Sequence, residues 1–388
     1  MISVMEALEL VMNQTMQFTN EMVKLSSAHG KRLMEPIIAD HDFPPFDRAM
    51  MDGFAISFEK WQNGQRNFRC HLTQSAGEPP QDYGEEECIE IMTGAVVPAG
   101  FDCIIPVEQV SCFSQQQVQF DESRSVKFQQ HIHFKGTDSK EGERLIDEGT
   151  YLRSHHIATL ASNGYNNIWV QSQPTIAIVA TGDELVEVNA TPLAHQIRKS
   201  NVYAIEALLS AFSSNIQKFH LPDEPAVIES WIRSVSLTFD LLIFTGGVSK
   251  GKKDYLPGIW QTLGYEKIFH GISQKPGKPM YFGKKENQLL FGLPGNPLSS
   301  LFCARRYITP FLQSQLNILL PAPTIELLTP LENKTSLTQW IPVQFLNEHW
   351  ITVSFNGSGD VNGIEVCVGF IEIPPHTTQN RFSLFELP

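Results

Sequence analysis

The chain has 388 residues, 42% hydrophobic and 18% charged, enough for two to four domains with ordinary cores. Its 29 Lys and Arg stand against 42 Asp and Glu, and the formal net charge of −13 excludes non-specific nucleic-acid affinity, so local lysines must do any anion binding. No stretch approaches the roughly 20 apolar residues that span a bilayer, the start MISVMEALELVMNQTM lacks the basic end of a signal peptide, and the six cysteines form no Cys-x-x-Cys pair, so a reduced cytoplasmic protein is expected.

Val4, Leu8, Val11 and Met12 share one face at helical spacing behind Ser3, a candidate N-cap. A second apolar segment surrounds Pro36 and Ile37. The run from His41 to Ala55, HDFPPFDRAMMDGFA, cannot be helical, because its prolines lack the N–H and clash with the preceding turn. Within it Asp47 and Asp52 flank Ala-Met-Met, and Gly53 frees the backbone beside Asp52. A turn with Asx capping accounts for this pattern as well as a site does.

Residues 54–135 alternate short apolar runs (Phe68 to Leu72, Cys88 to Met92, Cys103 to Val107, Val126 to Phe128) with Gly, Pro and polar turns, which predicts a small β-rich domain. Thr93-Gly94 offers a hydroxyl and a free N–H at a strand end. The glutamine-rich stretch near Gln115 reads as a surface hairpin. Gly136-Thr-Asp138 precedes a helix-compatible segment, His156 to Asn163, with Gly164 as C-cap, and a short strand, Ile168 to Val170. Residues 140–173 are expected to pack with residues 1–42 as a discontinuous linker domain, the β-rich domain being 43–139.

Residues 174–318 alternate strand and helix. Thr175 to Ala180 is an apolar strand ending in Thr181-Gly182-Asp183-Glu184. Ser200 is expected to cap a helix running from Asn201 to about Phe212, with Ile205, Leu208, Leu209 and Phe212 on its buried face. A helix near Ala226 to Val235 follows, then the strand Leu241 to Phe244, then a helix around Pro257 to Leu263. The strand Leu289 to Phe291 and a helix from Pro297 close the unit. Leu241 to Phe244 is apolar throughout, as suits a strand buried on both faces. The fold class is α/β: a central αβα domain with a parallel sheet, plus the β-rich and linker domains. Residues 319–388 show short strands and make a small C-terminal β-domain.

The chemistry gathers at one sheet edge. The central strand ends in Thr245-Gly246-Gly247, then Val248-Ser249, where glycines let backbone N–H groups approach a ligand. A second strand end reads Phe291-Gly-Leu-Pro294-Gly295-Asn296-Pro297. Between them lies Lys275-Pro-Gly-Lys278. Two glycine loops and two lysines in one αβ unit fit an anion such as phosphate, bound at the carboxyl edge of an open sheet. Asp183, Glu184 and Asp254 fall beside these loops. Carboxylates repel phosphate unless Mg²⁺ bridges them, so a bound Mg²⁺ is the economical reading. His155-His156 lacks the spacing of a zinc site and reads as a helix start.

Taken together, the motifs resemble the molybdenum insertases (molybdopterin molybdenumtransferases), which include the carboxyl-terminal part of gephyrin. The resemblance runs in order through PPFDRAMMDGFA, IMTGAVVPAGFD, GTDSKEGERLIDEGTYL, LASNGY, VATGDELVE, QIRKSN, FTGGVSKGKKDY, KPGKP, FGLPGNPLSS, NGSGD and FIEIPP. It implies a four-domain homodimer with the active site between subunits. The implied reaction takes adenylyl-molybdopterin and molybdate to molybdenum cofactor and AMP, with Mg²⁺. A molybdopterin adenylyltransferase would act upstream. By motif, Asp52, Glu184, Asp254, Lys275 and Lys278 fall at catalytic positions, with Asp52, Glu184 and Asp254 near the metal. Thr93, Asp138, Thr181, Gly182, Gly246, Gly247, Ser249, Pro294, Gly295, Asn296, Pro297 and Ser358 fall at substrate-binding positions. The chain departs from the family pattern at Arg48, Lys250 and Lys252, each of which adds positive charge. The competing readings are an adenylyltransferase-like activity, which resembles residues 174–316 alone, and a scaffold that keeps the fold without turnover.

Overall fold

The computed structural model describes residues 1–388 except 80–82, 85, 115, 122, 124, 250–253, 319, 320 and 388. The chain forms two compact units. The larger holds Met1–Met34, Tyr151–Arg153 and Ile168–Pro388, and the smaller Glu35–Thr150 and Ser154–Asn167.

In the larger unit, α1 (Val4–Met12) begins at Ser3, whose hydroxyl accepts from the Glu6 N–H, while the Glu6 carboxylate accepts from the Ser3 N–H. This reciprocal pair satisfies two donors at the helix start. Then come β1 (Ile176–Thr181), α2 (Asn201–Leu209), β2 (Ile216–Leu221), α3 (Pro225–Val235), β3 (Leu241–Thr245) and α4 (Leu256–Thr262). They are followed by β4 (Glu266–His270), β5 (Gln274–Lys275), β6 (Tyr281–Lys285), β7 (Gln288–Leu293), α5 (Pro297–Cys303) and α6 (Thr309–Gln315). One six-stranded sheet runs β2-β1-β3-β7-β6-β4. The first four strands are parallel. The expected parallel sheet therefore carries one reversed strand, β6, which runs antiparallel to both of its neighbours, β7 and the edge strand β4.

Alternation sends Ile176, Ile178 and Ala180 into one core with α1, α2, α5 and α6. Ala177 and Val179 enter the other, with Ile228, Ile232 and Trp260. Both faces are thus covered, as the uninterrupted apolar strands require. Helix α1 packs against α6 and the Ala304–Ile308 turn through Val4, Ala7 and Val11, and the helix Ser154–Ser162 belongs to the smaller unit. One expectation is corrected here. Ser200 precedes α2 without capping it, because its φ of −107° and ψ of −36° leave the extended region from which a hydroxyl reaches back, and the helix ends at Leu209.

The C-terminal segment forms β8 (Thr324–Asn333), β9 (Thr338–Leu346), β10 (His349–Thr352), β11 (Gly369–Ile373) and β12 (Thr377–Glu386). Their order is β5-β9-β10-β8-β12-β11, and a further β9–β11 pairing closes the five C-terminal strands into a small barrel. Strand β5, which carries Lys275, extends this barrel by pairing with β9.

The smaller unit contains the expected β-rich sheet, six strands around Phe54, Trp61, Phe68 and Phe120. Val110–Ser114 and Gln117–Phe120 form the glutamine-rich hairpin, with Gln115 itself outside the described residues. Val126–Phe128 is not a strand. The chain turns there, with the Gln130 N–H on the Lys127 carbonyl and the Lys127 N–H on the Gln130 side chain. Among the described residues no helix is long and apolar enough to cross a membrane.

Candidate active site

Three strand ends converge at the carboxyl edge of the parallel strands. Where β3 ends, Gly246 and Gly247 take φ of +96° and +65°. A Cβ on Gly246 would lie 2.9 Å from the Thr181 carbonyl oxygen at the end of β1, so only glycine lets these strand ends meet. From β7, the Leu293 carbonyl accepts from the Gly246 N–H at 3.0 Å. At Gly182 a Cβ would strike the Glu184 carboxylate at 2.6 Å, which means that this carboxylate folds back over the glycine turn.

These ends line a cleft of about 600 Å³. It brings together Thr181, Gly182 and Glu184 with Gly246, Gly247, Ser249 and Asp254. Pro294, Gly295, Asn296 and Pro297 form its far wall. Asn201, at the start of α2, holds that wall by donating to the Gly295 carbonyl at 2.8 Å. Lys250 and Lys252 lie outside the described residues.

Lys275 and Lys278 line a second, adjoining groove of about 550 Å³ with Ser358, Ser299 and Trp340. The two spaces share the wall of Pro279, Pro294 and Asn296. Ser358 arrives on a loop of the C-terminal segment. Its hydroxyl accepts from the Asn296 amide at 2.8 Å, and its carbonyl from the Leu298 N–H at 3.0 Å. Two environments thus sit side by side, one lined by carboxylates, glycine turns and the Arg198–Lys199 pair and one by the loop lysines Lys275 and Lys278.

Asp52, Thr93 and Asp138 belong to the smaller unit. The Thr93 N–H and hydroxyl both donate to one Asp52 oxygen at 2.6 Å. The Thr93 hydroxyl, aided by its N–H, holds the Asp52 carboxyl below the usual carboxylate range. Asp138 accepts from His133 Nε2 at 2.8 Å, and His133 Nδ1 faces the Arg48 guanidinium at 3.1 Å. Arg48, one of the departures from the family pattern, therefore has a partner of its own.

Four charged or amide side chains in the lining were not singled out from the sequence: Arg198, Lys199, Asn201 and Asp223. The first three sit in QIRKSN, a stretch with no glycine or strand signal of its own. Asp223 follows β2, a strand with a polar face. The Lys199 ammonium, buried, pairs with Glu187 and lowers that carboxyl's pKa.

The cleft's donor set fits Mg²⁺. Among the described residues no three Asp, Glu, His or Cys side chains cluster as a ready-made cage. Glu184 and Asp254 both line the cleft, and Mg²⁺ is commonly held by one or two carboxylates together with substrate phosphates and water.

Residues 2–164 match the family described as "MoeA N-terminal region (domain I and II)", and residues 177–314 the one described as "Probable molybdopterin binding domain". The chain is 36% identical over 386 residues to the molybdopterin molybdenumtransferase of Synechocystis sp., covering 97% of this chain and 96% of that protein. It is 33% identical over 300 residues to the enzyme of that name from Haemophilus influenzae, covering 75% of this chain and 72% of that one. The crystal structure of a molybdopterin biosynthesis protein from Pyrococcus horikosii superposes with a TM-score of 0.77 at 25% identity over 99% of both chains. By sequence along its whole length and by fold, the chain belongs to the molybdopterin molybdenumtransferase family.

Proposed function

We propose that this chain is the molybdenum insertase that its family name describes, taking adenylyl-molybdopterin and molybdate and releasing molybdenum cofactor and AMP. The observation that carries the reading is the shared wall between the two spaces. One space suits a phosphoanhydride, and the other suits a free tetrahedral oxyanion, so two anionic reactants can be held a wall apart.

In this reading the N–H groups of Gly247 and Ser249 cradle the phosphates, with Thr181, Gly182 and Gly246 lining the cradle. Glu184 and Asp254 hold Mg²⁺, which neutralises phosphate charge when bound. Lys275 and Lys278 hold molybdate and offset the charge that gathers as AMP leaves, the kind of electrostatic stabilisation that dominates phosphoryl chemistry. Pro294, Gly295, Asn296 and Pro297 keep the reactants apart until transfer, and Ser358 fixes that wall. Asp52, Thr93 and Asp138 act in the same site, delivered by a second copy of the chain in a homodimer, as in the family pattern. The enzyme works in the cytoplasm, in line with six unpaired cysteines, and receives its substrate from a molybdopterin adenylyltransferase.

The deciding measurement is AMP release from adenylyl-molybdopterin with Mg²⁺, with and without molybdate. Molybdate-stimulated release, lost in a folded Lys275→Ala and in Asp254→Ala, is the expected result. Tight binding without turnover would point instead to a scaffold, and unaltered turnover by Lys275→Ala would remove that lysine from the mechanism.

A further inference from the structure

Directly beneath the lysine loop lies a polar side chain that the proposed reaction does not use. Gln274, on β5, is 1% exposed, and it is surrounded by Tyr307 and Cys303, which are equally buried. A buried primary amide is costly unless both its ends are bonded. Both are. Gln274 Oε1 accepts from the Tyr307 hydroxyl at 2.6 Å. Gln274 Nε2 donates to the Gly277 carbonyl at 3.2 Å and lies 3.3 Å from Cys303 Sγ.

The direction of this amide is fixed by its neighbours. Burial pushes the Tyr307 hydroxyl up, so it stays protonated and can donate. Burial also pushes the Cys303 thiol up to about 12, so it stays neutral. Were the amide reversed, its oxygen would face the Gly277 carbonyl oxygen, acceptor against acceptor, and its NH₂ would face a hydroxyl turned away from its best donor geometry.

The loop rests on this amide without a gap. Gly277 takes φ of +93°, and a Cβ there would come within 2.6 Å of both Gln274 Nε2 and Cys303 Sγ. At its strand end the loop is tied to β9 by the pairs Gln274–Thr338 and Lys275–Gln339. At its far end the Lys278 carbonyl accepts from the Ile272 N–H at 2.9 Å. Between these ties, the Gly277 carbonyl accepts from Gln274 and, at a longer 3.4 Å, from the Met280 N–H. A lysine is a point charge on a flexible stem, so two lysines define a site only when the backbone between them is held.

We infer that Gln274 is a positioning residue: it holds Lys275 and Lys278 in register through the Gly277 carbonyl, and Tyr307 sets the direction of its amide. The inference rests on the reading of the lysine groove as the molybdate site. The test is titration of molybdate alone into the purified full-length chain, compared with AMP release at varied molybdate and varied adenylyl-molybdopterin. Lys275→Ala serves as the reference. Gln274→Leu is expected to weaken molybdate binding roughly tenfold and to raise the molybdate requirement for AMP release by the same factor, with the requirement for adenylyl-molybdopterin unchanged. A general loss of structure would move both requirements together. Tyr307→Phe keeps the amide but loses its orienting hydroxyl, and should give a smaller shift of the same kind. It decides the matter if Gln274→Leu does not fold. If Lys275→Ala weakens molybdate binding while Gln274→Leu and Tyr307→Phe bind as the unaltered chain does, the positioning role is overturned. If Lys275→Ala itself leaves molybdate binding unchanged, the groove is not the molybdate site, and the proposed function loses that part.

Discussion

The side-chain amide of Asn296 donates to the hydroxyl of Ser358 at 2.8 Å, joining the second glycine loop of the αβα layers to a loop of the C-terminal barrel. Asn296 lines both the carboxylate cleft and the lysine groove, so this bond sits in their common wall. The backbone bond from Leu298 to the Ser358 carbonyl survives any side-chain change. Ser358→Ala should therefore cost stability by only about 1 kcal/mol or less, as expected for one solvent-accessible hydrogen bond. Because the wall loosens where both reactants meet, molybdate-dependent AMP release should fall by roughly tenfold. Thermal unfolding and AMP release on the same preparation check the pair. Equal and small effects on both would reduce Ser358 to a surface contact.

Arg48, His133 and Asp138 form a chain in which one end dictates the other. A guanidinium carries only donors, so His133 Nδ1, facing Arg48 Nη2 at 3.1 Å and Nε at 3.3 Å, must accept. The proton of a neutral ring then sits on Nε2 and is donated to Asp138 at 2.8 Å. Long-range proton–nitrogen correlation spectra should find His133 as the Nε2–H tautomer in the unaltered chain. In Arg48→Ala the ring should sample both tautomers, and Asp138 should lose its constant donor. A persistent single tautomer in that variant would mean that Asp138, not Arg48, selects it.

Much of this arrangement could be read from the sequence, and the boundary of what could be read has physical causes. Leu241 to Phe244 announces a strand buried on both faces because every residue in it is apolar, and Gly246 and Gly247 announce the turn that only glycine permits. Strand β2 escaped because Gln217, Lys218 and His220 give it a polar face at the sheet edge, and Asp223 at its end was missed with it. The period of α1 tells which face is apolar but not which partner covers it, so the core it shares with α5 and α6 was not legible. The Asp52–Thr93 bonds join residues 41 apart, and the Gln274 amide carries no pattern at all. Such contacts depend on the tertiary path, which no local spacing encodes.

Asp360 anchors the turn that presents Ser358, accepting from the Asn356 N–H at 2.8 Å and the Gly363 N–H at 2.9 Å. These backbone donors, Asn356 first, lower its pKa below the ordinary 3.8. A carboxyl depressed in the folded state stabilises the fold above its unfolded pKa, and that contribution is lost as pH falls through the folded value. The unaltered chain should therefore be more stable than Asp360→Asn near neutral pH, and the advantage should shrink once pH drops below about 3.8. Denaturant unfolding at a series of pH values measures the difference directly. A gap that stays constant into acid would show that the carboxylate charge is not what holds the turn.

Three carboxylates, Glu184, Asp223 and Asp254, line the cleft, of which Glu184 and Asp254 are the proposed Mg²⁺ ligands, and among the described residues no three ligating side chains cluster as a cage. A site of this kind is completed by the phosphates of the substrate and by water. Chelation with EDTA should thus abolish AMP release while leaving the unfolding temperature where it was. Mg²⁺ affinity, measured by titration, should rise when adenylyl-molybdopterin is present, and Asp254→Ala should remove that rise. Tight Mg²⁺ binding to the free chain would require ligands beyond these two.

Asp52 lies in the smaller unit, whereas every residue lining the two adjoining spaces comes from the larger one. In a symmetric dimer with shared sites, each site takes its larger-unit residues from one copy and its smaller-unit residues from the other. Asp52→Ala and Lys275→Ala would each be inactive alone. Mixed and reassembled, half of the dimers would pair one variant with the other, and each such dimer would hold one site carrying both changes and one carrying neither. Activity should return to about a quarter of the unaltered level. If both residues serve a site within one copy, every site in every dimer keeps one defect and no activity returns. The amount of AMP released by the mixture therefore distinguishes a site shared between copies from one contained in a single chain.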